Sequence, residues 1–421
     1  MAEKMLILEC AGLDMTVVGA SRRLEEGLGL EFAPVTPVFP AVTCVEQATM
    51  RTGLLPAEHG VTANGRFDRA SCRVEFWGQS AGLCRGRRIW EDFPERKVGV
   101  LFMQQSLGDR GVLYVFSPAP IHRHHGGMIM ACHAKPPELE AHFAGVSGGQ
   151  FDLSRYWGPL ASGRSSEWIA SATLEMMRSY APDILFSYLP HMDYCLQREG
   201  PRSPYLGTEA DFLASLLERI LAGAKETGYE VVIWGDYAIT EANLPVFPNR
   251  ALRSAGLFVA RDVRGRLYPN LFDSRAFALV DHQVAHIHVR EASDVPAARR
   301  VLEGLEGVDS VRTAEEAGFR EADAGALVLT AKPGAWFAYP WWESSREAPD
   351  YAGHVDIHNK IGFDPNELFW GIPFLTTSSD PRRVHGTHGR IDTPAAYAVT
   401  SGLERLKGLH TINELASNLI R

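Results

Sequence analysis

The chain has 421 residues and a formal net charge of −9, and its 45% hydrophobic and 22% charged residues are typical of a globular protein. The length is enough for a large α/β domain with an insertion, or for two domains. The acidic balance and the lack of a Lys/Arg-rich run argue against a nucleic acid polymer or an anionic membrane as the main partner.

The N-terminal segment predicts a buried strand. Residues 5–8 are apolar throughout, as in a strand that is covered on both faces of a parallel sheet. This run is too short for a signal peptide, and no run elsewhere reaches the 18 apolar residues of a membrane span. The six cysteines are scattered without a C-x-x-C pair. They indicate reduced thiols and a cytoplasmic location.

Acidic residues follow three of the predicted strands. They are Glu9 after residues 5–8, Asp193 after residues 183–189 and Asp236 after residues 230–234. Ligands of open α/β sheets bind beyond the carboxyl ends of strands, so these carboxylates are candidates for one site, although a surface or ion-pair role for Glu9 is equally open. Three converging carboxylates repel one another unless cations lie among them. The pattern therefore predicts divalent metal ions.

Residues 37–65 contain the predicted start of a helix. Pro40 biases the residue before it away from helix, and the helical pattern that follows ends at Gly53. Thr43 is therefore expected at or near the helix N-terminus, where free backbone N–H groups and the helix dipole favour an anion. Its hydroxyl is a candidate nucleophile, and a simple helix cap is the alternative.

The remaining elements complete an α/β pattern. Further strands are predicted at residues 73–77, 98–103, 114–117, 327–330 and 336–342, and helices at residues 17–27, 165–180, 209–224 and 294–305. Alternating strands and helices predict a mostly parallel central sheet with helices on both faces. Residues 1–250 and 325–421 are expected to form this core, and about 251–325 a small α/β cap.

Histidines provide a second set of candidates. In residues 276–290 a period of two places three histidines on one face, either as ligands or as an exposed strand face, and His282 is preferred because it begins the strand. The three histidines of residues 120–127 favour a solvated loop over a metal site. His388 lies between small residues, which suits close approach to a ligand or metal.

Residues 39–65 carry the pattern TG-x-x-P-x-x-HG-x-x-x-N. The candidate site residues follow in the order Glu9, Thr43, Asp193, Asp236, His388. Together these features resemble the alkaline phosphatase superfamily, and most closely its type I phosphodiesterase/nucleotide pyrophosphatase branch, from about residue 5 to 390. The resemblance implies an alkaline-phosphatase-like fold and hydrolysis of phosphodiester or nucleotide pyrophosphate bonds. In that family a Thr or Ser attacks phosphorus and two divalent metal ions, usually zinc, hold the site.

The resemblance also implies roles for individual positions. Thr43 matches the nucleophile and a metal bridge, and Glu9, Asp193, Asp236 and His388 match metal ligands. Asn64 lies in a segment that could contact substrate, and a turn residue is the equal alternative. Three positions depart from the family: Glu9 stands for Asp, and Gln197 and Tyr237 stand for His. Oxygen ligands favour manganese or magnesium, so these metals stay open beside zinc. Candidate replacement ligands are His358, His282 and His191, of which His191 could instead contact substrate.

Several functions remain open on this scaffold. Phosphonate and phosphomonoester hydrolysis are alternatives, and so is a catalytically decayed binding protein, because a fold does not fix its chemistry. The expected partner is a small-molecule phosphate ester, with no nucleic acid polymer and no membrane, and an oligomer is open.

Overall fold

The computed structural model describes residues 4–125, 127–372 and 375–420. Its strands are β1 Lys4–Cys10, β2 Ala33–Val35, β3 Gly65–Asp68, β4 Arg73–Phe76, β5 Val98–Leu101, β6 Val112–Pro118, β7 Ile121–His122, β8 Met128–Ile129, β9 Cys132–Lys135, β10 Ile184–Leu189, β11 Tyr229–Trp234, β12 Thr240–Val246, β13 Ala260–Val263, β14 Arg266–Pro269, β15 Ala276–Asp281, β16 Val284–Val289, β17 Val308–Thr313, β18 Leu327–Ala331, β19 Gly334–Phe337, β20 Gly386–Thr387 and β21 Ala395–Val399.

The helices connect these strands. The α-helices are α1 Met15–Gly19, α2 Thr43–Thr52, α3 Pro56–His59, α4 Glu138–Val146, α5 Gly163–Glu175, α6 His191–Glu199, α7 Leu206–Thr227, α8 Pro248–Ser254, α9 Val295–Glu303, α10 Glu321–Ala324 and α11 Ile412–Asn418. Short π-helical turns lie at Arg23–Gly27 and Met176–Tyr180. Short 3₁₀ turns lie at Ala81–Leu83, Leu153–Arg155, Ala292–Asp294, Asp350–Gly353, Pro365–Leu368, Pro381–Arg383 and Ser401–Leu406.

An eight-stranded sheet of order β2-β21-β11-β1-β10-β5-β6-β9 forms the centre of the molecule. Strands β11, β1, β10, β5 and β6 are parallel, and β21 and β9 add antiparallel strands beside them. Helices α5 and α7 pack against β10 and β11. The predicted α/β class with a mostly parallel central sheet is confirmed. The inner strands read as continuous apolar runs because both of their faces are buried.

A second sheet lies outside the central one. Its strands β15, β16, β18 and β17 are antiparallel neighbours and pack with α9 around a separate hydrophobic core. This core includes residues as late as Phe363. The division of the chain into a core of 1–250 and 325–421 and a cap of about 251–325 stays a prediction.

Three predicted elements differ from the structure. The strand predicted at residues 336–342 ends at Phe337, shortly before Pro340, which has no N–H to donate to a sheet. The helix predicted at 17–27 is divided into α1 and a π-helical turn. The histidine-rich loop at 120–127 begins with β7, which pairs with β8, and position 126 lies outside the described residues.

Within the three described segments, none of the helices combines the length and the apolar character that crossing a membrane requires.

Candidate active site

The three predicted acidic residues meet at one edge of the central sheet. Glu9 is in β1, which pairs in parallel with both β10 and β11. Asp236 comes two residues after β11, and Asp193 lies in the first turn of α6, directly after β10. The chain reaches Asp236 through Gly235, where a Cβ atom would lie 2.0 Å from the Leu13 carbonyl oxygen. Only glycine allows this close passage beside β1.

Thr43 is the first residue of α2, as predicted. The helix is preceded by Val42 in an extended conformation, and no side chain caps its N-terminus. The alternative in which Thr43 is a helix cap is therefore wrong. The Thr43 Oγ1 atom instead lies 3.1 Å from the hydroxyl oxygen of Tyr237. The side chain is thus held at the helix N-terminus but free of the helix backbone.

Asp193 is the centre of a buried hydrogen-bond network. The Tyr237 hydroxyl donates to Asp193 Oδ1 at 3.1 Å, and the amide nitrogen of Gln197 lies 2.9 Å from both carboxylate oxygens. Burial raises the pKa of Asp193 to about 6, and these two donors oppose that rise. Both residues that replace the expected histidines therefore contact this one carboxylate.

Glu9 and Asp236 form a second acidic group. Asp236 Oδ1 accepts from the backbone N–H groups of Gly12 and Tyr237 at 3.0 Å, and Glu9 Oε1 accepts from Gln47 Nε2 at 3.1 Å. The remaining oxygens, Glu9 Oε2 and Asp236 Oδ2, are buried without a hydrogen-bond partner. Burial and then the neighbouring Asp236 raise the pKa of Glu9, and burial raises the pKa of Asp236. Two adjacent buried carboxyl groups favour either a shared proton or a cation.

His388 lies beside the Asp193 network. Its Nδ1 donates to the Ala41 carbonyl oxygen at 2.7 Å, and its Nε2 is 4.0 Å from Asp193 Oδ1. Its ring stacks on Tyr237, with centroids 3.6 Å apart and planes 3° apart. Burial lowers the pKa of His388, so the imidazole is neutral near pH 7.

His282 lies in the turn between β15 and β16, and not at the start of a strand as predicted. A two-residue hairpin turn needs left-handed backbone, and His282 has φ of 56°. Its ring lies 3.6 Å from that of His388 and 3.8 Å from that of Phe363. Its Nδ1 contacts Asp281 Oδ1 at 2.8 Å, and its Nε2 is buried without a partner.

Asn64 supports the start of α2. Its side-chain oxygen accepts from the Cys44 N–H at 2.9 Å, and its amide nitrogen donates to Asp281 at 3.1 Å. Asn64 does not line the cavity beside Thr43. Substrate contact by Asn64 stays a prediction, and the contacts present give it a positioning role.

His191 lies on a different side of α6 from Asp193. Residues that are two positions apart in a helix are separated by about 200° around its axis, so the side chains of His191 and Asp193 point in nearly opposite directions. The His191 Nε2 atom is 2.9 Å from Glu209 Oε2, and its ring packs on Phe212. It does not line the cavity beside Thr43. Substrate contact by His191 stays a prediction, and the contacts present direct its ring towards Glu209 and Phe212.

His358 lies between the 3₁₀ turns Asp350–Gly353 and Pro365–Leu368, and it is half-buried on the lining of the cavity. Its ring is 6.0 Å from that of His122. The sequence patterns did not identify Gln47, which donates to Glu9 and accepts from the Gln104 N–H at 2.6 Å. The signal was its position four residues after Thr43, which places both on one side of α2.

A cavity of about 440 Å³ opens above Thr43. Its floor contains Thr43, Asp193, Tyr237, His282 and His388. Its walls are mostly apolar or aromatic and include Trp77, Pro118, Met128, Met130, Leu153, Tyr156, Trp157, Tyr188 and Ile357. None of the described residues that line it is a lysine or an arginine.

The residues fit a cation on one side of the site and not on the other. Glu9 and Asp236 present two buried carboxylate oxygens without partners, which suits a hard divalent cation. Both oxygens of Asp193 already accept hydrogen bonds.

Among the described residues, the predicted ligands do not form a group of three His, Cys or carboxylate atoms that lie within 4.8 Å of one another, and their metal-binding roles stay a prediction. Over residues 4–125, 127–372 and 375–420, the His, Cys and carboxylate atoms that come within 4.8 Å of one another in a group of three belong to His191, Cys195 and Glu209. This group contains none of the seven predicted ligands, which are Glu9, Thr43, Asp193, Asp236, His282, His358 and His388. The replacements at Gln197 and Tyr237 remove the nitrogen ligands that the family pattern places there.

Comparisons with known proteins agree with this fold. Residues 24–364 match the family described as Type I phosphodiesterase / nucleotide pyrophosphatase. Among curated proteins, none matches the chain.

Solved structures with the same fold include phosphonoacetate hydrolase from Sinorhizobium meliloti 1021 in complex with phosphonoacetate, with 13% identity, a TM-score of 0.61 and coverage of 99% of this chain and 95% of that one. An inactive murine ectonucleotide pyrophosphatase / phosphodiesterase 5 in complex with AMP has 14% identity, a TM-score of 0.60 and coverage of 99% and 94%. The human ectonucleotide pyrophosphatase / phosphodiesterase 5 has 14% identity, a TM-score of 0.58 and the same coverage. These likenesses confirm the predicted alkaline-phosphatase-like fold.

Proposed function

The chain belongs to the type I phosphodiesterase / nucleotide pyrophosphatase family of the alkaline phosphatase superfamily, and we propose that it hydrolyses phosphodiesters of apolar alcohols with Thr43 as the nucleophile. It is a hydrolase of phosphate esters, and its family generally depends on divalent metal ions at a two-metal site. The observation that carries the proposal is the Thr43 hydroxyl at the N-terminus of α2 and on the floor of the cavity.

The contacts of Thr43 orient its hydroxyl for attack. The Tyr237 O–H donates to Asp193, so the Tyr237 oxygen is left to accept the proton of the Thr43 hydroxyl. The Thr43 lone pairs then face the cavity. Attack on phosphorus would form a Thr43–phosphorus bond as the bond from phosphorus to one alcohol oxygen breaks, with the Thr43 proton passing through the Tyr237 hydroxyl to Asp193 and from there to the departing alcohol. Water would then cleave the Thr43–phosphorus bond, which frees the second product and restores the Thr43 hydroxyl.

The N-terminus of α2 supports the charge that develops on phosphorus. The dipole of this helix favours an anion beside Thr43, which is its first residue. The Cys44 N–H is already bound by Asn64, which fixes the position of the first turn. A divalent cation bound at Glu9 and Asp236 would supply Lewis-acid stabilisation of the same charge.

The cavity supports a substrate with one charge and apolar substituents. Anions with two charges, or with an added carboxylate as in the phosphonoacetate of the Sinorhizobium meliloti structure, are usually recognised by Arg or Lys. The described cavity walls offer aromatic rings, methionines and prolines in their place. Burying the second negative charge of a dianion against these apolar walls is unfavourable. A phosphodiester carries one negative charge, which the polar residues of the cavity floor can bind.

The ligand types and cysteines support two finer proposals. Oxygen ligands at Glu9 and Asp236 favour manganese or magnesium over zinc. The described cysteines are all free, at positions 10, 44, 72, 84, 132 and 195, which supports a cytoplasmic location.

The test compares hydrolysis of bis(p-nitrophenyl) phosphate and p-nitrophenyl phosphate by wild type, Thr43→Ala and Thr52→Ala, with added Mn²⁺, Mg²⁺ or Zn²⁺ and with EDTA. Thr52 is the matched control, because its hydroxyl donates to the Ala48 carbonyl oxygen of the same helix. We expect faster hydrolysis of the diester, a loss of kcat/KM of about 10³-fold or more in Thr43→Ala, and activity near wild type in Thr52→Ala.

Two results would overturn the proposal. Full activity in Thr43→Ala would exclude its nucleophilic role. No turnover of either ester with any of the three metals, combined with tight binding of the diester, would favour the alternative of a binding protein on a decayed scaffold.

A further inference from the structure

We infer that Tyr237 and Gln197 replace one of the family's two metal ions with a hydrogen-bond network on Asp193, so that this chain binds one divalent cation, at Glu9 and Asp236. The inference rests on the proposed function for the location of the site, but it concerns cation binding and is tested without turnover.

The first step concerns the electron pairs of Asp193. A carboxylate offers about four lone-pair positions, and Gln197 and Tyr237 already provide three contacts to them. Gln197 is four residues after Asp193 on α6, so the helix keeps its amide beside the carboxylate. The amide hydrogens face the oxygens that a metal ion would need, and they repel a cation at that position.

The second step concerns Tyr237. Its hydroxyl lies between the nucleophile and the carboxylate, 3.1 Å from Thr43 Oγ1 and 3.1 Å from Asp193 Oδ1. Its ring is fixed by close parallel stacking on His388. A phenol held in this way connects Thr43 to Asp193 directly, as a neutral hydrogen-bond donor and acceptor.

The third step concerns the histidines that remain. His388 Nε2 lies 4.0 Å from Asp193 Oδ1, so these two atoms are the available ligands on this side. His282 Nε2 is buried and unpartnered, but its imidazole stacks between His388 and Phe363. Zinc sites normally have at least three protein ligands.

The fourth step concerns the opposite side of the site. Glu9 and Asp236 are fully buried and lie within hydrogen-bond reach of each other, and one carboxylate oxygen of each accepts no hydrogen bond from any other residue. Buried ionised carboxylates are normally paired with a positive charge or coordinate a metal. The two sides therefore differ in how many carboxylate oxygens are available to a cation. Glu9 and Asp236 each have an available oxygen, whereas both oxygens of Asp193 already accept hydrogen bonds.

The experiment measures Mn²⁺ stoichiometry by calorimetric titration and by metal analysis after gel filtration of metal-free protein. We expect one Mn²⁺ per chain in wild type. Glu9→Gln should raise the Kd about 100-fold, and Asp193→Asn should change it less than about threefold. The paired substitutions Gln197→His and Tyr237→His, which restore the family's ligand types, should add a second equivalent of Mn²⁺ or Zn²⁺.

Two Mn²⁺ per wild-type chain, no bound Mn²⁺, or a loss of binding in Asp193→Asn would each overturn the inference. Circular dichroism and thermal unfolding identify variants that fail to fold. If the double variant fails to fold, wild type and Asp193→Asn still decide the question. An enzyme that binds one cation but hydrolyses neither ester would refute the proposed function and leave this inference standing.

Discussion

At the scale of single residues, the position of Tyr237 is the main departure from what the chain's family pattern implies. A histidine was expected there as a metal ligand, and a buried phenol in contact with Thr43 and Asp193 is present. Its oxygen is the acceptor available to the Thr43 proton, so it has a direct part in the proposed attack. Tyr237 touches the nucleophile and is therefore a candidate catalytic residue.

Tyr237→Phe tests whether the Tyr237 oxygen accepts the Thr43 proton. The substitution keeps the ring that stacks on His388 and removes the acceptor for the Thr43 proton. We expect kcat for the diester to fall about 10²- to 10³-fold with KM changed little, measured by steady-state kinetics. Tyr156→Phe is the control, because that hydroxyl is buried on the cavity wall without a hydrogen-bond partner. Equal kcat values for Tyr237→Phe and wild type would contradict the role.

Glu46 provides a prediction on pH. Burial raises its pKa, and the Val38 N–H that donates to its Oε1 opposes this rise. Because the folded-state pKa lies above the unfolded value of about 4.3, the stabilisation is complete below that value and is lost as pH rises through the folded-state pKa. The loss amounts to at most about 1.4 kcal/mol per pH unit.

Glu46→Gln imitates the protonated side chain at every pH. We expect the variant to be more stable than wild type at pH 8 and the difference to shrink towards pH 4, in urea unfolding followed by circular dichroism. Glu26→Gln, on the exposed Arg22–Glu26 pair, serves as the control and should show almost no pH-dependent difference. A Glu46→Gln variant that is less stable than wild type at pH 8 would refute this account.

The sequence identified the reactive side chains better than their partners. Glu9, Asp193 and Asp236 follow from the rule that sites lie beyond strand ends, because strand direction alone brings them together. Thr43 follows from the predicted helix N-terminus. His191 was grouped with them by proximity in sequence, but helix geometry turns it towards Glu209. The contacts of Gln197 and Tyr237 with Asp193 depend on tertiary packing, which no local pattern contains.

At the scale of elements, α2 is a buried helix with polar residues that position the site. All ten of its residues are buried, and Arg51 extends from it to the segment after β5. The Arg51 guanidinium pairs with Asp109 at 2.8 Å and donates to the backbone carbonyls of Gln104 and Gln105. Removal of this side chain would leave buried carbonyls without donors.

Arg51→Met tests the stability of this arrangement. We expect the free energy of unfolding to fall by about 3–5 kcal/mol, because several buried acceptors lose their partner at once. Asp109 keeps a second ion pair with Arg88, which limits the loss. The control Arg22→Met removes an exposed pair with Glu26 and should change the stability by less than about 0.5 kcal/mol. A loss below 1 kcal/mol in Arg51→Met, read from urea unfolding, would contradict this account.

Elements with strong hydrophobic patterns were the most predictable. The central strands are apolar because helices cover both faces of the sheet, and this pattern is visible without a structure. The turn at His282 was not predictable, because its left-handed backbone is imposed by the pairing of β15 with β16. The early end of the strand at Phe337 had a signal in Pro340, which was outweighed by the aromatic residues around it.

At the scale of the whole molecule, the cavity lies where the edge of the central sheet meets segments from distant parts of the chain. Its walls come from residues near 77, 118–120, 127–130, 153–157 and 355–363. Sequence patterns predicted residues of the cavity floor but not of this wall, because the wall residues are separated by up to 286 positions in the chain. The lack of Lys and Arg among the described lining residues is therefore a property of the folded molecule.

Met128→Arg tests whether this lack of cations selects the substrate. Met128 is a half-buried member of the wall. An arginine there should favour a dianion, so we expect the ratio of kcat/KM for p-nitrophenyl phosphate to that for bis(p-nitrophenyl) phosphate to rise about tenfold. Met128→Leu preserves the apolar character and should leave the ratio unchanged. An equal ratio in both variants would show that the wall does not determine specificity.

The most direct test of the central claim is mass spectrometry of peptides from enzyme that is acid-quenched during turnover of bis(p-nitrophenyl) phosphate. We predict a p-nitrophenyl phosphate ester on the peptide that contains Thr43, formed within one turnover, decaying as the second product appears, and absent from Thr43→Ala. Turnover at the normal rate with no modified peptide, or with the ester on another residue, would contradict Thr43 as the nucleophile.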